Sequence, residues 1–187
     1  MQRIEFKSIE EAKKIKFPDA SGDAVRKFRE VAEFVTLGNA SRNAKVKAIY
    51  EAADAITVEV APLTACQKGC NHCCKIDVGV AEVEAQFIGR NIGKSPRIVS
   101  GATEGYGENR TPCTFLSQDG SCKIYQYRPF ACRTYFALDS PDYCKDLKVS
   151  HVTYDYKGNG MLTKLAHLLS QLNGAGRGAD IRDFFPL

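Results

Sequence analysis

Eight cysteines lie between positions 66 and 144 of this 187-residue chain, and residues 1–65 and 145–187 contain none. Four of them, Cys66, Cys70, Cys73 and Cys74, share the nine-residue run CQKGCNHCC. Thiols at that density on one loop are the donor set of zinc and of iron–sulfur clusters. Gly69, just before Cys70, allows the tight turn that brings Cys66 and Cys70 together. Cys74 directly follows Cys73, and vicinal residues rarely share one ion. One of the two is therefore free to reach a second metal or a cluster edge with Cys113, Cys122 or Cys132.

Spacing bears on the metal. Zinc sites commonly use two Cys-x-x-Cys knuckles, whereas this loop reads Cys-x-x-x-Cys-x-x-Cys followed by Cys74. That pattern is closer to iron–sulfur loops, in which close ligands are joined by a distant one. Iron–sulfur thus stands slightly ahead of Zn2+, and both stay open. A thiolate needs a cation or strong donors beside it, and Lys68, Lys75, Lys123 and Arg133 flank the cysteines in sequence. Arg128 and Arg133 read equally well as cluster-facing guanidiniums and as carboxylate-paired surface arginines. His72, inside the loop, is expected to be an exposed or outer imidazole, because the thiols suffice as ligands. Cys144 is open between ligand and small apolar residue. His151 and His167 read as structural, and Tyr125, Tyr127 and Tyr135 as core and rim aromatics.

CQKGCNHCC, PCTFL at 112–116, GSCKIY at 120–125, Arg128-Pro129 and Cys132-Arg133 follow one another in order. Together they resemble the YkgJ-like cysteine-cluster family, described as a zinc- or iron-chelating domain. The resemblance covers about residues 66–135 and implies metal binding through Cys66, Cys70, Cys73, Cys74, Cys113, Cys122 and Cys132. It leaves Cys144 and the flanking segments outside.

The elements that must position these residues read as mainly α with a small β hairpin (α+β), a helical scaffold around a cysteine-rich metal-binding loop region. From Ser21 to Leu37, Val25, Phe28, Val31, Ala32 and Val35 recur at helical intervals. Ser41 can cap a second helix running to about Val60, with Val46, Ile49, Ala53 and Ile56 on one face. Val80 to Ile92 has helical spacing, and its acidic start suits the helix dipole. Residues 93–112 read as a long loop, without the strand and helix that would make its glycines a phosphate site. Cys113–Leu116 and Cys122–Tyr125 could pair about the turn Gln118-Asp119-Gly120. His151–Tyr156 alternates like a strand, with Gly158-Asn159-Gly160 as its turn. Met161–Leu172 is a leucine-rich helix stopped by Gly174, and Phe184 and Phe185 are expected to pack back on the body. We therefore expect a single domain over 1–187: an N-terminal helical hairpin over 1–65, a cysteine-cluster core over 66–144, and a C-terminal helix and tail over 145–187.

Composition (44% hydrophobic, 26% charged, net charge +4) is that of an ordinary globular chain. The mild basicity falls short of a dedicated nucleic-acid binder. The first residues lack a signal peptide's apolar stretch, and no run approaches the ~18 apolar residues of a membrane span. The expectation is a cytoplasmic chain without a membrane partner, where thiols serve metals rather than disulfides. Three functions fit: a metal-binding protein with an iron–sulfur cluster (4Fe-4S) or zinc; a radical S-adenosylmethionine-type or methyltransfer-related enzyme; or a zinc-stabilised module for a protein or nucleic acid. The enzyme reading requires a run of βα units after the first cysteines, and the sequence offers one helix and a loop.

Overall fold

The computed structural model describes residues 6–67, 69–99, 111–145 and 149–187. The helices form where capping residues and apolar spacing coincide. Ser8 and Glu11 reciprocally cap the single turn α1 (Ile9–Ala12). Ser21 accepts from the Ala24 amide at the start of α2 (Gly22–Leu37), and Ser41 accepts from the Ala44 amide at the start of α3 (Arg42–Thr57). These two helices pack on each other. α3 is the central one: Val46, Ile49, Ala52, Ala53 and Ile56 are all buried along it. It stops at Thr57, short of the expected Val60, where the β-branched run gives way to a 3-10 turn at Ala61–Leu63 with Pro62 inside it.

β1 (Gly79–Ala81) leads directly into α4 (Glu82–Ile92). The helix expected from Val80 starts two residues later because Val80 and Ala81 are spent on a strand pairing. α5 (Phe130–Thr134) and β2 (Phe136–Ala137) follow, then β3 (Thr153–Tyr154), α6 (Gly160–Asn173), β4 (Gly178–Asp180) and α7 (Ile181–Phe184). Among the described residues the sheets are two antiparallel pairs, β1 with β4 and β2 with β3. No run of βα units follows the first cysteines in those residues. The fold is mainly α with small β pairs, as the sequence implies.

The expected hairpin after Cys113 shrinks to one isolated bridge, Leu116 to Cys122. Its second arm turns into a 3-10 segment at Tyr125–Tyr127. The strand expected over 151–156 is two residues long. Asn159 is not a hairpin turn residue: its side chain accepts from the Met161 and Leu162 amides and starts α6. Leu162, Leu165 and Leu169 are buried on α6, while Leu168 and Leu172 are only half-buried and His167 is exposed. Of the loop expected over 93–112, residues 100–110 lie outside the described residues, as does Lys68; the remainder has neither helix nor strand. No helix is long and apolar enough to cross a membrane among the described residues.

The C-terminal tail folds back as expected, with Phe184 and Phe185 fully buried. It does more than fill the core. β4 pairs with β1, the Val78 amide donates to Asp180 at 2.6 Å, and the Arg97 amide donates to the Phe184 carbonyl at 2.8 Å. The last ten residues therefore strap both ends of α4 and the exit of the cysteine loop.

Candidate metal centre

Four separate stretches bring the cysteines to one side of the scaffold, and each is tied down by backbone bonds. Ala65 donates its amide to the Ala137 carbonyl at 2.8 Å, and the Ala137 amide returns a bond to the Cys66 sulfur at 3.3 Å. Gly69 then turns the chain at φ 92°, a conformation that favours glycine. A 3-10 turn over His72–Lys75 carries Cys73 and Cys74.

The second stretch is clamped to the first. The Cys113 amide donates to the Cys74 carbonyl at 2.7 Å. The bridge from Leu116 places Cys122 across from it, about a turn in which Gly120 has φ 81°. A Cβ at Gly120 would lie 2.6 Å from the side-chain nitrogen of Asn71, which marks how closely this turn lies on the CQKGCNHCC loop, and the positive φ favours glycine there. Cys132 sits on α5. Cys144 sits in a 3-10 turn over Tyr143–Lys145 that packs against the His72–Lys75 turn.

All eight thiols are free. Their electrostatic contacts show which are neighbours. Cys144 interacts with Cys66 and Cys70, and Cys66 interacts with Cys70. Cys132 interacts with Cys113, Cys74 and Cys122, while Cys113 interacts with Cys74 and Cys122. Cys73 touches both sets: it donates to Cys74 and lies within reach of Cys132 and Cys66. Among the described residues no three His, Cys, Asp or Glu side chains converge closely enough to hold one ion. The sulfurs are gathered without being closed on a point.

Burial pushes most of these thiols up: Cys66 and Cys122 are raised, Cys113 and Cys144 reach about 11, and Cys132 goes higher still. The hydrogen bond from Cys73 holds Cys74 down to about 7, with help from Arg182, and drives Cys73 well up. Amides of Ala137, Phe115 and Ile124 bond the sulfurs of Cys66, Cys113 and Cys122 and favour their thiolates.

Two guanidiniums face this set. Arg128 acts on Cys66, Cys122 and Cys132. It stacks 4.2 Å over Tyr125, and its buried Nε has no hydrogen-bond partner among the described residues. An orphaned cationic donor beside raised thiols is an environment that suits anionic sulfur. Arg182, from α7, donates to the carbonyls of Cys74 and Ile76 at 3.2 Å each and to that of Thr111 at 2.9 Å, while paired with Asp180 at 2.8 Å. Its charge reaches Cys74 and Cys113. Arg133 is different. It pairs with Asp54, caps the carbonyls of Arg128 and Gln126, and covers the Tyr50 ring at 4.3 Å, so it belongs to the scaffold.

Sequence reasoning missed Arg182 because the carbonyls it binds lie more than 70 positions away. It also left open Cys144, for which the thiol itself was the only signal. The donor set is all thiol, with amides and guanidiniums around it, and this fits the ligation chemistry of both zinc and iron–sulfur.

No curated protein and no solved structure matches the chain. Residues 65–152 match the CxxCxxCC family, whose printed description is "Putative zinc- or iron-chelating domain". The matched segment begins one residue before Cys66, spans all eight cysteines, and leaves out α1 to α3 and everything from β3 to the C-terminus. Over residues 65–152, a little under half of its length, the chain is thus similar to the CxxCxxCC family.

Proposed function

We propose that the chain is a cytoplasmic metal-binding protein whose thiolates hold an iron–sulfur cluster. The ligands are drawn from Cys66, Cys70, Cys73, Cys74, Cys113, Cys122 and Cys132. The observation that carries this reading is the clamp between the two halves of the cysteine set, in which the Cys113 amide binds the Cys74 carbonyl and the Gly120 turn lies on Asn71. The spacing of Cys66, Cys70 and Cys73 favours a cluster over a single zinc ion.

A bound cluster would supply one-electron chemistry, and bound zinc would supply folding energy. The chain's own residues do the holding. Cys73 and Cys74 join the halves, amides at 115, 124 and 137 donate to sulfur, and Arg128 and Arg182 offset the charge that thiolates bring. The thiols raised by burial give up their protons when metal binds, so binding releases protons and tightens with pH.

Anaerobic purification followed by a visible spectrum, metal analysis and labile-sulfide assay tests the reading. Brown protein with iron and sulfide is the expected result. Colourless protein with stoichiometric zinc would replace the cluster by zinc. Metal content unchanged in Cys66→Ala and Cys73→Ala would remove the central claim.

A further inference from the structure

We propose that the C-terminal tail sets the geometry of the thiol site, with Asp180 and Arg182 as a positioning pair that holds the Cys74 and Cys113 backbones against each other. The proposal rests on the metal-binding reading above and deepens it. The matched segment 65–152 ends before β4 and α7, so the element that positions its cysteines comes from outside it.

Every arm of the Arg182 guanidinium is engaged. Nε donates to the Thr111 carbonyl at 2.9 Å, and Nη2 donates to the carbonyls of Cys74 and Ile76 at 3.2 Å each. Nη1 donates to the two Asp180 carboxylate oxygens at 2.8 and 3.0 Å. One rigid fork thus spans the exit of the CQKGCNHCC loop and the residue two positions before Cys113. The Cys74 carbonyl also accepts from the Cys113 amide at 2.7 Å, so both of its lone pairs tie the two stretches together. Asp180 in turn accepts from the Val78 amide at 2.6 Å and the Arg182 amide at 2.9 Å. Beyond Cys113, the Thr114 hydroxyl donates to the Phe185 carbonyl at 2.5 Å, and the Phe115 ring meets that of Phe185 edge-on at 5.2 Å. The tail therefore grips the second cysteine stretch on both sides of Cys113.

Position, more than charge, explains this arrangement. Arg182 and Asp180 are both buried and largely neutralise each other. A cation placed mainly to offset thiolates would be weakened by a carboxylate at 2.8 Å. A backbone clamp needs that carboxylate, because it aims the fork.

The two roles predict opposite signs for Asp180→Asn. The measurement is the affinity of the metal-stripped full chain for the metal it carries on purification, Zn2+ or Fe2+, in competition with a chelator. As a positioning pair, the residues lose their anchor in Asp180→Asn and affinity should fall by about 10–100-fold; a cation acting through charge would be freed, and affinity would rise. Arg182→Lys keeps the charge but not the fork and should weaken affinity to a similar degree. The double variant should lose little more than either single one, because the pair acts as a unit. Affinity at or above wild type in Asp180→Asn, or unchanged in Arg182→Lys, would overturn the proposal while sparing the metal-binding reading. A wild type that takes up neither iron nor zinc would overturn both. Hydrogen exchange on the wild type keeps the proposal falsifiable even if a variant fails to fold. By linkage, bound metal should slow exchange at the Ile181 and Phe185 amides, which bond the Val78 and Ile181 carbonyls in the docked tail. Equal rates with and without metal would overturn the proposal.

Discussion

The helical scaffold and the cysteine region are built on opposite terms. The scaffold closes on itself. Its main helices carry side-chain caps, α3 is buried along a whole face, and Glu84 on α4 is a completed hub. Glu84 is only 3% exposed, and it accepts from the Tyr50 hydroxyl at 2.7 Å, the Phe130 amide at 2.8 Å and the Ala81 amide at 3.0 Å. Arg133 and Asp54 extend that hub across α5 and α3. The cysteine region, by contrast, is held mainly by 3-10 turns, one isolated bridge and a few backbone bonds, none of its eight cysteines is fully buried, and Arg128 keeps a buried donor with no partner among the described residues. One region takes its stability from apolar burial and satisfied polar groups. The other consists of donors arranged at the scaffold's edge, and its stability is tied to what those donors bind.

The largest test of this difference is metal removal. Stripping the protein with a chelator under reducing conditions should destabilise the cysteine region by an amount on the order of 10 kcal/mol, the apparent worth of a structural thiolate site. Hydrogen exchange read by mass spectrometry should show residues 66–75, 113–122 and 143–145 losing protection while α2, α3, α5 and α6 keep theirs. Uniform loss throughout the chain would mean that the two regions are one cooperative unit.

The two regions also differ in how far the sequence reveals them. The caps Ser21, Ser41 and Gly174 and the apolar spacing of α2, α3 and α6 mark the scaffold helices to within a residue or a few, because helices are specified by neighbours in sequence. The cysteine positions are equally plain. What the sequence hides is the pairing of β1 with β4, of Arg182 with the Cys74 carbonyl, and of Cys144 with Cys66. Glu84 shows the limit well. Its place in the first turn of α4 suggests a solvated charge facing the helix dipole, yet tertiary packing buries it against Tyr50 and Phe130. Arg133 follows the same logic, since its carboxylate partner, Asp54, comes from α3, 79 positions away.

Breaking the hub should injure the scaffold and spare the centre. Glu84→Ala leaves the Tyr50 hydroxyl and two amides without their acceptor and should cost about 3 kcal/mol in denaturant unfolding. Metal per folded chain should stay the same. If metal falls in proportion to stability, the hub and the centre are coupled through Phe130 and α5. Arg182→Ala makes the converse test, because it releases the tail from the Cys74 and Ile76 carbonyls and removes a cation from Cys74 and Cys113. Metal affinity by chelator competition should weaken by ~10–100-fold, as for other groups that orient ligands, whereas the unfolding of α2 and α3 should be little changed.

The smallest effect is a slope in pH, and it isolates the scaffold. Burial raises the Glu84 carboxyl above its ordinary value of 4.5, against the lowering pull of its three donors and Arg133. In the window that opens at about 4.5 and runs upward to the raised value, the folded chain holds a proton that the unfolded chain has released. The folded state is thus favoured by acid through this group: the contribution is fully present below 4.5 and is lost as pH rises through the folded value. Each unit of raising corresponds to about 1.4 kcal/mol. Glu84→Gln removes the titration, so its stability relative to wild type should improve as pH rises across the window and level off above it. The metal-stripped protein should show the same difference between variant and wild type, because no thiol takes part in it. A difference that appears only with metal bound would place Glu84 in the service of the centre rather than of the helices.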